Sequence, residues 1–182
     1  MQQVGLQPQL LLPSEEEDPE ELEIVLPNEN AQSYVARVAM LKWQVAQRRL
    51  LAQNLPLAPI LSADTTVVLG KRIFGKPKNT EDALEILQTL EGKTHRVMTA
   101  VVLGFGDQVL SATSISRVSF DEMMPEDLDK YVRSGEPMGK AGAYGIQGAA
   151  AQWVKKIDGS YTGIMGLPLH ETLQLLRSFG VY

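Results

Sequence analysis

The chain has 182 residues and no cysteine. Disulfides, thiolate metal sites and cysteine nucleophiles are therefore excluded. Histidine is scarce, with only His95 and His170, which argues against a zinc centre built on imidazoles. Positive charge is in deficit: 17 Lys and Arg against 22 Asp and Glu leave a net −5. With no basic patch in evidence, a duplex nucleic-acid binder is not expected. No apolar run is long enough to span a bilayer, and no basic-then-apolar signal opens the sequence. A cytoplasmic location is the expectation. Three motifs are missing as well. No Gly-Lys-Ser/Thr closes a phosphate loop. No Gly-x-Gly-x-x-Gly turn joins a strand to a helix. No Gly-x-Ser-x-Gly elbow presents a nucleophilic serine.

What is there is ordinary in bulk: 44% apolar and 21% charged residues, enough for one domain with a sizeable core. Gln2, Gln3, Gly5 and Gln7 read as the end of a helix, and Leu10-Leu11-Leu12 as a short strand. An acidic loop follows, Glu15-Glu16-Glu17-Asp18 and Glu20-Glu21, broken by Pro13, Pro19 and Pro27. Asn30 can cap a helix running to about Asn54. Tyr34, Val38, Leu41 and Val45 give it a buried stripe. Lys42 lies beside that stripe, where it can snorkel or point along a cleft edge. Strands are expected over 56–69, 97–103 and 114–120, and helices over 80–90, from Pro125 to Gly135, and around Leu169, Leu173 and Leu176. Alternating strands and helices with mixed connections predict an α/β domain, its sheet mixed and not purely parallel.

Two segments carry chemistry. In Ser62-Ala63-Asp64-Thr65-Thr66-Val67-Val68 an apolar approach delivers one carboxylate, and Gly75-Lys76-Pro77 follows. Alone, Asp64 also reads as a cap or turn residue. With a lysine held nearby it suits work on a phosphate chain. The carboxylate can hold a metal or take a proton from water, and the lysine can neutralise phosphate oxygens. The second segment is Lys140-Ala141-Gly142-Ala143-Tyr144-Gly145-Ile146-Gln147-Gly148. Its glycines demand tight turns or a close approach, for a ligand or simply for a hairpin.

Taken in order, these segments resemble the Maf family of nucleoside triphosphate pyrophosphatases. The resemblance includes Tyr34-Val35-Ala36-Arg37-Val38-Ala39 with Lys42, Ala63-Asp64-Thr65, Gly75-Lys76-Pro77, His95-Arg96-Val97-Met98-Thr99, the segment 140–148 and Gly166-Leu167-Pro168-Leu169. It runs over nearly the whole chain, read as one Maf-like domain over 1–182. Thr65 and the segment 143–148 resemble the branch acting on dTTP and UTP, not the branch acting on 7-methyl-GTP.

The resemblance implies a helix-flanked, twisted mixed sheet in two lobes with a cleft between them. It implies hydrolysis between the α- and β-phosphates, a divalent cation (Mg²⁺ or Mn²⁺), a nucleoside triphosphate substrate and a homodimer. Position by position, Asp64 would accept a proton from water. Lys42 and Lys76 would grip the triphosphate, and Thr65 and Gln147 would help choose the base. Glu16 with Asp64 would hold the metal, with Glu15 as the alternative to Glu16.

One departure stands against this. The family's opening strand and Ser-x-Ser-x-Arg-Arg loop, which binds phosphate at a helix N-terminus, have no counterpart from Met1 onward. A late start codon, an incomplete sequence and a shortened paralogue are the competing readings, and weak activity is the expectation for the chain as given. The rival function is a nucleotide-binding regulator of cell division that turns nothing over. A purely structural α/β domain is the plainest alternative. Pyrophosphate release from nucleoside triphosphates discriminates among them.

Overall fold

A computed structural model describes residues 1–13, 17 and 19–182. Its strands are β1 (Ile60–Leu69), β2 (Arg72–Phe74), β3 (Thr94–Phe105), β4 (Gln108–Phe120) and β5 (Val154–Asp158). Its helices are α1 (Ala31–Ala52), α2 (Thr80–Leu90), α3 (Pro125–Arg133), α4 (Tyr161–Ile164) and α5 (Leu169–Ser178). The strands form one sheet in the order β2-β1-β3-β4-β5. All four pairings are antiparallel. The helix-flanked α/β layering expected from the sequence is thus present, but the sheet is purely antiparallel where a mixed one was expected.

Local chemistry explains most boundaries. The Asn30 side chain accepts the Ser33 N–H at 3.0 Å and starts α1. Asn79 does the same for α2, from Asp82 at 2.8 Å, with Glu81 and Asp82 at its positive end. Pro125 opens α3, and Lys130 and Arg133 close it. β3 is central and almost wholly buried, because helices cover it on both faces.

The expected strand at Leu10-Leu11-Leu12 is absent: those residues are irregular, with Leu10 and Leu12 exposed. Arg49 instead donates to the Leu11 carbonyl at 2.8 Å. The helix tail expected before it is a single tight turn, Gln2–Val4, closed by Gly5 at φ 76°.

Period-two alternation decides which strand residues face which layer. Val68, Met98, Ala100 and Val102 pack on α1 through Tyr34, Val35, Val38, Ala39 and Trp43. On the opposite face, Val67 and Val97 join α2, α3 and the Gly-rich segment. Farther along that face, Val101 and Leu103 meet Leu175 and Leu176 of α5. On one side β1 pairs with β3 from Ile60 to Val68. On the other, only Val67–Leu69 pair, with β2. The site lies beside the rest of that edge.

Candidate active site

Asp64 sits in mid-strand on β1, opposite Ala100 of β3, so the turn or cap reading does not hold. The residue is 7% exposed, with its side chain on the α1 face. The Lys42 ammonium, from the middle of α1, donates to Asp64 Oδ1 at 2.6 Å and to Glu23 Oε1 at 2.8 Å. Lys76 donates to the same Glu23 oxygen at 2.9 Å. Lys76, Glu23, Lys42 and Asp64 therefore form one connected chain of alternating charge.

Glu23 was not singled out in the sequence, where it is one carboxylate among many in an unpatterned acidic loop. Contacts from α1 place it. Tyr34 donates its hydroxyl to the Glu23 carbonyl at 3.0 Å. One turn later Arg37 donates to the Ile24 carbonyl at 2.8 Å and grips Glu29 with two hydrogen bonds of 2.7 Å each. The i, i+3 spacing of Tyr34 and Arg37 on a helix was the available signal. Glu16 and its alternative Glu15 lie outside the described residues.

Burial lifts the Asp64 carboxyl above its ordinary value, and Lys42 opposes this without cancelling it. Burial alone would push the Lys42 ammonium down, but Asp64 and Glu23 outweigh it and raise it. Burial also acts to raise Glu23, yet its two lysines prevail and hold it below the usual carboxylate value. The neighbouring Tyr34 phenol is pushed up to about 12 by burial and by the Asp64 and Glu23 charges.

These groups line a cleft of about 330 Å³ that also reaches Thr65, Gln147, Lys140 and Gly166. All five described residues picked from the sequence (Lys42, Asp64, Thr65, Lys76 and Gln147) are brought to this one cleft. Asp64 and Thr65 are consecutive, so they point to opposite faces of β1. The cleft therefore wraps over the strand's edge, with charge on the α1 side and Thr65 on the other. Thr65 Oγ1 lies 2.8 Å from Thr99 Oγ1, which in turn donates to the Gly163 carbonyl at 2.7 Å.

The Gly-rich segment forms the facing wall, and backbone chemistry fixes it. Gly142 donates to the Gly75 carbonyl at 3.0 Å, tying this segment to the loop that carries Lys76. Gly142 has φ 69°, and a Cβ there would lie 2.7 Å from Val67 Cγ2. Only glycine satisfies both constraints without strain. Beneath the segment, the Tyr144 hydroxyl meets His95 Nε2 at 2.8 Å, and both rings stand edge-on to Phe120. Gln147 is exposed at the rim.

Among the described residues no group of three or more His, Cys, Asp or Glu could enclose a metal. Glu23 and Asp64 nonetheless place two carboxylate oxygens around one cation, the Lys42 ammonium. That donor set fits Mg²⁺ or Mn²⁺, which take one or two protein carboxylates and complete their shell with substrate phosphates and water. Among the described residues no helix is long and apolar enough to cross a membrane.

Known proteins resemble the chain over almost its whole length. The family described as Maf-like protein matches residues 1–179. A protein of Cupriavidus pinatubonensis named dTTP/UTP pyrophosphatase is 54% identical over 175 residues, 96% of this chain and 88% of that protein. Proteins of the same name from Albidiferax ferrireducens and Polaromonas sp. are each 51% identical. The alignments cover 97% and 100% of this chain and 88% and 90% of theirs. A family match over almost the entire length, with relatives at half identity, establishes that the chain belongs to the Maf-like protein family.

Proposed function

We propose that the protein is a nucleoside triphosphate pyrophosphatase that hydrolyses dTTP and UTP to the nucleoside monophosphate and pyrophosphate. The observation that carries this is the buried Asp64, held by Lys42 in a cleft shared with Lys76, Thr65 and Gln147. The names of the relatives support the choice of substrate.

In this reading Asp64 accepts the proton of the water that attacks phosphorus. A carboxylate lifted by burial is a stronger base than an exposed one, which suits it to that task. Lys42 orients it through the Oδ1 hydrogen bond. Lys76, at the cleft wall, offsets charge on the phosphate oxygens. Glu23 and Asp64 would hold Mg²⁺ or Mn²⁺, which supplies further positive charge to the phosphates when bound. Gln147 can donate and accept together, as the imide edge of thymine or uracil requires. A cytoplasmic location and a homodimer belong to the same reading.

The test is pyrophosphate release from dTTP, UTP and GTP with Mg²⁺ or Mn²⁺. Release from dTTP and UTP, with GTP spared, is expected. Binding of dTTP without release would instead make the protein a nucleotide-binding regulator.

A further inference from the structure

The hydroxyl pair at the strand crossing has only one consistent arrangement of hydrogens. Thr99, 1% exposed, sits directly across β1–β3 from Thr65. Its Oγ1 is 2.7 Å from the Gly163 carbonyl, which can only accept, so the single Thr99 hydroxyl proton goes there. The Gly163 oxygen also accepts the Gly166 N–H at 3.1 Å, which occupies its second lone pair and fixes its position. With its proton spent, Thr99 Oγ1 can only accept from Thr65, 2.8 Å away. The Thr65 proton is thereby directed into the protein. What Thr65 turns toward the cleft is lone pairs, and Gly166 opposite leaves them open, where a Cβ would touch Thr65 Oγ1 at 3.5 Å.

We propose that Thr99 is a positioning residue for base choice: by taking the Thr65 proton it fixes Thr65 as a hydrogen-bond acceptor in the cleft. A ring that presents an N–H at this point is taken, as uracil and thymine do at N3. Cytosine, whose N3 is a lone pair, is refused because two acceptors face each other. A hydroxyl free to rotate would donate to cytosine as readily as it accepts from uracil, so the discrimination resides in the relay and not in Thr65 alone. This inference rests on the function proposed above.

The experiment compares wild type, Thr99→Val and Thr99→Ser. Two readouts are taken with Mg²⁺: kcat/KM for UTP and CTP, and calorimetric affinity for the non-hydrolysable α,β-imido analogues of both. Wild type is expected to favour uracil in both readouts. Thr99→Val, which keeps the shape and loses the hydroxyl, should narrow that preference about tenfold or more. Thr99→Ser should retain it. Thermal unfolding confirms that each variant is folded. UTP hydrolysis with the preference unchanged in folded Thr99→Val overturns the relay and leaves the proposed function standing. Loss of the preference in Thr99→Ser also overturns it. A uracil preference in binding that collapses in Thr99→Val, without hydrolysis by wild type, supports the relay and removes the catalytic reading. Failure of wild type to bind either analogue overturns both.

Discussion

The ammonium of Lys42 lies 2.6 Å from Asp64 and 2.8 Å from Glu23, so a single cation on α1 holds together the carboxylate of β1 and that of Glu23. A buried carboxylate deprived of such a partner either titrates upward or is destabilising. The behaviour of the site therefore depends on which member is removed.

Removing the proposed proton acceptor leaves Lys42 still paired with Glu23. Asp64→Asn should therefore fold normally and lose about 10²–10⁴ in kcat for dTTP. Equal pyrophosphate release by the variant and the wild type would eliminate Asp64 as the base.

Removing the shared cation acts on titration as well as on rate. Lys42 is the main influence holding Asp64 down against burial. In Lys42→Met the acid limb of the pH–rate profile should move to higher pH, with kcat reduced. A profile of unchanged position would mean that Asp64 is not the group that titrates.

Removing the Glu23 carboxylate tests the proposed metal site. Glu23→Gln should weaken Mn²⁺ binding about tenfold or more, measured by paramagnetic resonance or calorimetry without nucleotide. Unaltered Mn²⁺ affinity would move the metal elsewhere.

Acid stability should report His95, which burial holds down to about 4 against an ordinary 6.5. Because the folded value is the lower one, the full stability is present above pH 6.5. It is lost as pH falls toward 4, by about 3 kcal/mol. Asp64, raised in the fold, acts in the opposite sense near its own titration. Urea unfolding of wild type and His95→Gln between pH 7 and pH 4 separates the two. The variant should start less stable and show a shallower decline.

A packing test is independent of the chemistry. A Cβ at Gly104 of β3 would run into Cζ2 of the Trp43 indole, well inside contact distance. Gly104→Ala should cost about 1–3 kcal/mol in urea unfolding. Combining it with Trp43→Phe should recover part of the loss, since the buried Trp43 N–H has no partner to forfeit among the described residues. Additive losses would show that the two positions do not meet.

The sequence revealed elements wherever a local signal existed. α1 begins after Asn30, and α2 spans Thr80–Leu90 as its apolar spacing indicated. β2 escaped because three residues carry no periodicity. β5 escaped because Lys155 and Lys156 are exposed and break any apolar pattern. Trp43 belongs to the buried face of α1, whereas Leu41 and Val45 are only half-buried. The packing partner Gly104 lies far off in sequence, so spacing along α1 could not show this. Asp64, Lys76 and the Gly-rich segment were legible because glycine, proline and β-branched residues punctuate them. Glu23 was not, because Tyr34 and Arg37 select it from the acidic loop only in three dimensions.

The placement of Asp64 and Thr65 on opposite faces of one strand makes chemical fidelity a matter of register. A slip of β1 by a single residue against β3 would carry the carboxylate away from Lys42 and turn Thr65 toward it, exchanging the two ends of the site. The long pairing from Ile60 to Val68 guards against that error. Mutations along β1 that loosen this alignment would then cost activity and stability together, because the same slip sends Val67 and Val68 to the wrong layers.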